Sequence, residues 1–219
     1  MDLINKLHQL GFLDNVIVEA IISTYNLNGE PNAAPMGIIM NKEGQLLIRP
    51  FINTRTYQNI VRNGCAVINI TSKAELYYQT TFKDEKIPLK WFESAKLVNA
   101  PYLKHVDAHL ETSVINIQQY GKDRAEILLK VEMIDLKDEC IPQVYCRANF
   151  IVIESIIHAT RIQAFLSQKR FTELERLMEM IQYYNGIVQR IAPNSIYSTI
   201  MLNLIEKVNG WKSNIKGRV

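Results

Sequence analysis

The hydrophobic period of this chain changes once, near Arg147, and that change restricts what the chain can fold into. Upstream, apolar residues come in short β-branched runs divided by turn residues. Downstream they recur at three- and four-residue intervals. A short amphipathic helix carrying Leu3, Leu7 and Leu10 opens the chain, and NVIVEAIIST over Asn15–Thr24 follows as a strand. Asn28-Gly29 marks a hairpin turn, because both residues tolerate positive φ. Met36–Met40 and Gln45–Arg49 read as the next two strands, joined by the turn Lys42-Glu43-Gly44. A helix is expected after an N-cap at Asn53-Thr54, with Tyr57, Ile60 and Val61 as its apolar stripe and Asn63-Gly64 as its stop.

CAVINIT, residues 65–71, is a continuous apolar strand, followed by a short helix or loop through Phe82. From Lys83 to Pro101 no period is visible. Ser113–Gln118 and Ala125–Ile134 form a final antiparallel pair around Gly121. Six or so strands with short turns and one inserted helix predict a closed or partly open barrel. Beyond Arg147, the residues Phe150, Ile153, Ile157 and Ala159 predict a buried helix. Thr172-x-x-Glu175 reads as a capping box ahead of Leu174, Leu177, Met178, Ile181 and Val188. Pro193-Asn194-Ser195 starts a last helix that runs through Ile196, Ile200, Leu204 and Val208 to Gly210. The expected organisation is a β-barrel domain over 1–146 and a helical extension, with a terminal hairpin, packed on it over 147–219.

Composition excludes several classes. With 47% hydrophobic and 21% charged residues, the chain is ordinary globular protein rather than disordered. A net charge of +3, spread along the sequence, makes no case for nucleic acid. Lys207, Lys212, Lys216 and Arg218 form a loose basic end, expected to be solvated. Cys65, Cys140 and Cys146 are odd in number and widely spaced, against a disulfide framework, and Cys65 reads as a buried small residue. No apolar run approaches bilayer length, and MDLINKLHQLGFL lacks the sections of a signal peptide, so a cytoplasmic location without membrane contact is expected. Walker-type, GxGxxG, GxSxG and HExxH motifs are absent, which leaves hydrolase and NTPase readings without support.

Four segments are candidates for chemistry. In PNAAPMG, Pro31–Gly37, small residues between two strands let a planar ligand reach the backbone, unless the segment is an ordinary strand entry. In RPFINTRTYQN, Arg49–Asn59, a cationic strand end runs into a helix start bearing two hydroxyls and an arginine, which suits a phosphate. The plain alternative is a Thr54 cap beside two solvated arginines. In CRANFIVIESIIHATR, Glu154, His158 and Arg161 share a helical face. They form either a mutual network or a substrate-facing acid–base group with His158 held by Glu154. His105, Asp107, His109 and Glu111 alternate as metal ligands would, but no further ligand supports them and a polar edge strand or loop is expected. No metal is expected. Trp91 and Phe92 are expected in the core.

Taken in order, PNAAPMG, RPFINTRTYQNI, AVINIT and RANFIVIESIIHATR resemble the landmarks of a mostly archaeal family of unknown function within the FMN-binding split-barrel superfamily, over about Asn15 to Arg161. The resemblance implies a mainly β fold, a Greek-key split barrel with a C-terminal helical hairpin, dimerising with FMN at the subunit interface. Related pyridoxamine-phosphate-oxidase-like proteins place a Ser-Arg-Lys stretch on the flavin phosphate. Thr54-Arg55-Thr56 looks like its counterpart with the lysine replaced by threonine, and Arg49 is available to compensate. Ala34, Pro35, Met36 and Gly37 would lie along the isoalloxazine ring, and Asn69 and Thr71 end the neighbouring strand. Arg147 and Asn149 would reach the cofactor of the partner subunit. The implied activity is of flavin-reductase type, drawing on NADH or NADPH, with the substrate unnamed. The alternatives are a non-enzymatic flavin carrier or sensor whose helical tail binds a partner, and a heme- or deazaflavin-binding barrel.

Overall fold

The computed structural model describes residues 3–82, 87–136 and 142–216. The chain divides into two units, Met1–Tyr145 and Cys146–Val219.

In the first unit, α1 (Leu3–Gln9) buries Leu7, and β1 (Ile17–Tyr25) and β2 (Pro31–Met40) form an antiparallel hairpin. Its turn is closed by Asn26 N–H donating to Glu30 O at 2.8 Å, with Gly29 at φ 79°. That φ is why glycine stands there. β2 starts earlier than the apolar run suggested: PNAAPMG is itself strand, with Pro35 opposite Ile21 and Gly37 opposite Glu19. Low β propensity is overridden by pairing along the whole of β1.

After β3 (Leu46–Ile48) comes α2 (Arg55–Asn63), capped by Thr54 and ended by Gly64 at φ 66°. Its buried face is Thr56, Asn59 and Ile60, whereas Val61 is half exposed, so the expected apolar stripe is rotated toward polar residues. β4 (Cys65–Ile70) is buried along its length, and α3 (Ala74–Phe82) follows. Burial pushes the Cys65 thiol pKa up. The stretch without period contains a 3₁₀ turn at Leu89–Trp91 and a small two-stranded sheet, β5 (Phe92–Ser94) with β6 (Pro101–Leu103). Phe92 is buried beside Leu103 and Val106, with Trp91 packed against them.

β7 (Ala108–Tyr120) and β8 (Arg124–Leu136) are longer than the sequence pattern indicated. The strands close in the order β1-β2-β3-β8-β7-β4, with β4 returning to β1 through Ile21–Asn69 and Ser23–Val67. This is a Greek-key split barrel. Val18, Ile22, Ile38, Ile48, Ile68, Leu110, Ile127 and Leu129 are wholly buried and make its core. Each such side chain contributes about 1.5–3 kcal/mol of hydrophobic stabilisation.

The second unit has three helices, α4 (Arg147–Ser167), α5 (Phe171–Ile191) and α6 (Ile196–Lys216), the expected helix after Arg147 followed by the two of the terminal hairpin. Val152, Ala159, Ile162 and Leu166 of α4 meet Leu174, Ile181 and Val188 of α5 and Met201 and Val208 of α6. Phe150, Ile153 and Ile157 lie 40–53% exposed, contrary to the buried face expected of them; the packed face of α4 is a neighbouring stripe. α5 begins at Phe171 with no side-chain cap, so Thr172 and Glu175 are helical and form no capping box. There Arg170 pairs with Glu173 instead. The reciprocal cap is at α6, where Ser195 Oγ accepts from Ser198 N–H and Ser198 Oγ from Ser195 N–H. α6 continues through Gly210, its solvated face tolerating the glycine.

α4 is 21 residues long with a mean hydropathy of 1.3 over its most apolar window, which reaches bilayer length and composition, a property that the core helix of a globular protein shares. Lys212 pairs with Glu175 in the helical unit, while Cys140 and Arg218 lie outside the described residues.

Candidate functional site

The barrel unit carries a cleft of about 760 Å³, within the range of small-molecule sites. One wall is the middle of β2, Ala34–Gly37, with Glu19 of β1 beside it. The other is the end of β3 and the start of α2, comprising Arg49, Pro50, Phe51, Thr54, Arg55 and Thr56. Thr80, Thr81 and Arg124 complete the lining. Eight residues singled out in the sequence, Ala34, Pro35, Met36, Gly37, Arg49, Thr54, Arg55 and Thr56, thus meet in one cavity although they belong to three elements.

Small residues keep the β2 wall open. A Cβ on Gly37 would stand 3.0 Å from Ile17 Cγ2 and 3.9 Å from Glu19 Oε2, crowding the space above the strand. Proline at 35 donates no N–H, and its ring is half buried in the wall.

The α2 wall is set by a chain of hydrogen bonds. Thr54 Oγ1 accepts from Tyr57 N–H at 3.3 Å and donates to Phe51 O at 2.7 Å, so its hydroxyl is spent on the cap. Thr56 is 3% exposed, and its Oγ1 accepts from Asn32 Nδ2 at 3.2 Å. Both threonines therefore fix the helix start, and a ligand there meets the free first-turn N–H groups and the positive end of the helix dipole. The three arginines differ. Arg49 is paired with Glu126, Nη2 to Oε2 at 2.9 Å, and lies over the Tyr120 ring at 4.2 Å. Arg124 stacks on Phe51 at 3.8 Å and donates to Arg49 O at 3.0 Å. Arg55 is exposed and makes no ion pair among the described residues. An unpaired guanidinium at a helix N-terminus is the strongest anion-binding element in the cleft.

Other sequence candidates are elsewhere. Asn69 is wholly buried: its Nδ2 donates to Ile21 O at 2.9 Å and Ser23 Oγ at 2.8 Å, and its Oδ1 accepts from Leu103 N–H at 2.8 Å. It ties β4 to β1 and β6. Thr71 is also buried, accepting from Lys73 N–H through Oγ1. Neither lines the cleft. Arg147 and Asn149 begin α4 in the helical unit. His158, in the helical unit, is 5% exposed, 3.7 Å from Glu154, and stacked on Tyr184 with ring centroids 6.0 Å apart. Arg161 is solvent-exposed on the same helix, so no Glu–His–Arg triad forms.

His109 and Glu111 are buried in β7, with His109 Nε2 3.9 Å from both Glu111 and Asp135. Glu111 accepts from Lys96 and Leu97 N–H at 2.8 and 2.6 Å. His105 instead packs edge-on to Trp91. Among the described residues no group of three potential ligands gathers for a metal. Sequence reasoning missed Glu19, Thr80, Thr81 and Arg124 in the cleft, since each reaches it through strand pairing or helix packing that leaves no local pattern, and it covered Pro50 and Phe51 only as part of the Arg49–Asn59 segment.

A model described as the N-terminal domain of a protein of unknown function, DUF447, matches residues 18–139, and a second DUF447 model matches 146–206. The uncharacterised protein MJ1453 of Methanocaldococcus jannaschii is 20% identical over 175 residues, covering 80% of this chain and 90% of that protein. Among solved structures, the FMN-bound DUF447 protein MM1853 of Methanosarcina mazei is 25% identical with a TM-score of 0.54, covering 92% of this chain and 99% of that one. A Shewanella frigidimarina protein described as a flavin reductase with a split-barrel domain is 15% identical, covers 61% of this chain and 73% of its own, and has a TM-score of 0.50. That last likeness speaks to the fold.

Proposed function

The chain belongs to the DUF447 family, and from that premise we propose that it is an FMN-binding protein whose cofactor lies in the cleft between β2 and α2. The observation that carries this reading is Arg55, an unpaired guanidinium on the first turn of α2, facing a wall of small residues. The FMN bound by the relative from Methanosarcina mazei supports it. A dianionic phosphate suits the Arg55 guanidinium and the first-turn amides, and a planar ring suits the backbone at Ala34–Gly37.

Bound flavin would supply the electron chemistry. The chain's own contribution is binding and orientation. Arg55 holds the phosphate, Gly37 leaves room for the ring, and Phe51 and Met36 exclude water from part of the cleft. We assign flavin-reductase-type oxidoreductase activity with NADH or NADPH as the donor, in a soluble cytoplasmic homodimer. Phe51, Ile52 and Tyr120, all 41–43% exposed, favour a second copy covering the same side of the barrel unit.

The test is direct. Purified protein should be yellow, quench added FMN fluorescence, run as a dimer by light scattering, and oxidise NADH or NADPH in the presence of FMN. Failure to bind FMN overturns the cofactor assignment. Binding without turnover would make the protein a carrier or sensor and remove only the reductase assignment.

A further inference from the structure

A second cavity of about 350 Å³ adjoins the cleft, and Arg55 lines both. Its polar lining includes Glu30 and Asn26, held by the β1–β2 turn, and its apolar lining includes Pro88 and Leu89. Glu30 N–H donates to Asn28 Oδ1 at 3.2 Å and Glu30 O accepts from Asn26 N–H, which fixes the backbone behind the carboxylate. Asn26 Oδ1 accepts from Asn59 Nδ2 at 2.9 Å, orienting that amide so that its NH₂ remains a donor. Arg55 and Glu30 share the cavity with opposite charge, yet neither enters an ion pair among the described residues. Leu89 is 65% exposed beside the exposed Pro88, an apolar edge left open among the described residues.

A cation and a carboxylate held apart around one cavity suit a ligand carrying an anion at one end and hydroxyl donors at the other. A carboxylate accepting from vicinal hydroxyls is the chemistry of ribose recognition, and an apolar edge suits the face of a base. We propose that this side cavity binds a ribonucleoside 5′-phosphate moiety, with Arg55 on the phosphate, Glu30 on the ribose hydroxyls, and Pro88 and Leu89 against the base. The inference rests on the flavin reading only in that Arg55 is where the two cavities meet. The moiety arises from one of two sources: the adenylate half of FAD, continuous with a flavin in the cleft, or a separate adenine nucleotide.

The full-length protein, as wild type, Glu30→Gln and Leu89→Ala, would be titrated with FMN, FAD and the fluorescent nucleotide etheno-AMP. Both substitutions are at exposed side chains, and circular dichroism would verify their folding. If FAD is the source, it binds wild type about ten-fold tighter than FMN, and each variant loses about five- to ten-fold for FAD while FMN affinity holds. If a separate nucleotide is the source, etheno-AMP binds wild type without FMN, added FMN weakens it by competing for Arg55, and each variant weakens it by a similar factor. The proposal is overturned if FAD binds no tighter than FMN and etheno-AMP does not bind. It is equally overturned if either ligand binds but neither variant changes its affinity. FMN binding is read separately in the same titrations, so failure of the side cavity and failure of the flavin assignment are distinct results.

Discussion

Arg49 and Glu126 form a two-point ion pair across β3 and β8, with Nε at 3.0 Å and Nη2 at 2.9 Å from the same carboxylate oxygen. The pair spends the charge of one cleft arginine on the barrel and leaves Arg55 as the cation open to a ligand.

Arg55→Ala should therefore weaken FMN binding by about 1.5–3 kcal/mol, the range of a hydrogen bond to a charged group. Arg49→Ala should cost less than half as much. Fluorescence titration of both variants checks the order. Equal losses, or a larger one at Arg49, would move the phosphate toward β3.

Gly37→Val should fold and lose flavin. The added side chain would enter the space beside Ile17 and Glu19 that the glycine keeps clear. Overpacking of this kind costs about 1–3 kcal/mol of fold stability, and the branched side chain would also occupy space proposed for the ring. Unchanged FMN affinity in a folded variant would place the ring away from this wall.

Asn69→Leu should destabilise the barrel by about 2–4 kcal/mol with no specific effect on flavin. The substitution strands Ile21 O, Ser23 Oγ and Leu103 N–H, all of which bond to the amide. Urea unfolding gives the stability, and FMN titration below the transition gives the affinity. A stable variant with lost flavin binding would reverse this assignment.

His158→Ala should lower stability by about 1–2 kcal/mol and leave both FMN affinity and NADH oxidation unchanged. The imidazole is buried against Tyr184 in the helical unit, with Glu154 as its charged neighbour. Loss of turnover at normal stability and flavin content would restore the acid–base role.

Local chemistry was legible where a residue acts on its own neighbourhood. Thr54 as cap, Gly64 as stop and the turns at Gly29 and Gly44 depend on backbone conformation within four residues, and the structure has each of them. The cleft was partly legible because PNAAPMG and RPFINTRTYQN each supply a contiguous stretch of wall. What stayed hidden is non-local. The Arg49–Glu126 pair spans 77 residues, and no local pattern announces it. Asn69 was misplaced because a strand apolar on both faces shows no alternation to tell barrel interior from ligand surface. In α4, the period marks an apolar circumference but not the arc that α5 and α6 cover.

The return of β4 to β1 has a mechanical consequence. Each strand of the ring is paired with a neighbour on both sides over at least part of its length, so no strand of the ring is an open edge from end to end. The proposed second subunit would therefore find no whole strand edge in the ring to extend, and dilution of such a dimer should yield dispersed monomers rather than fibres.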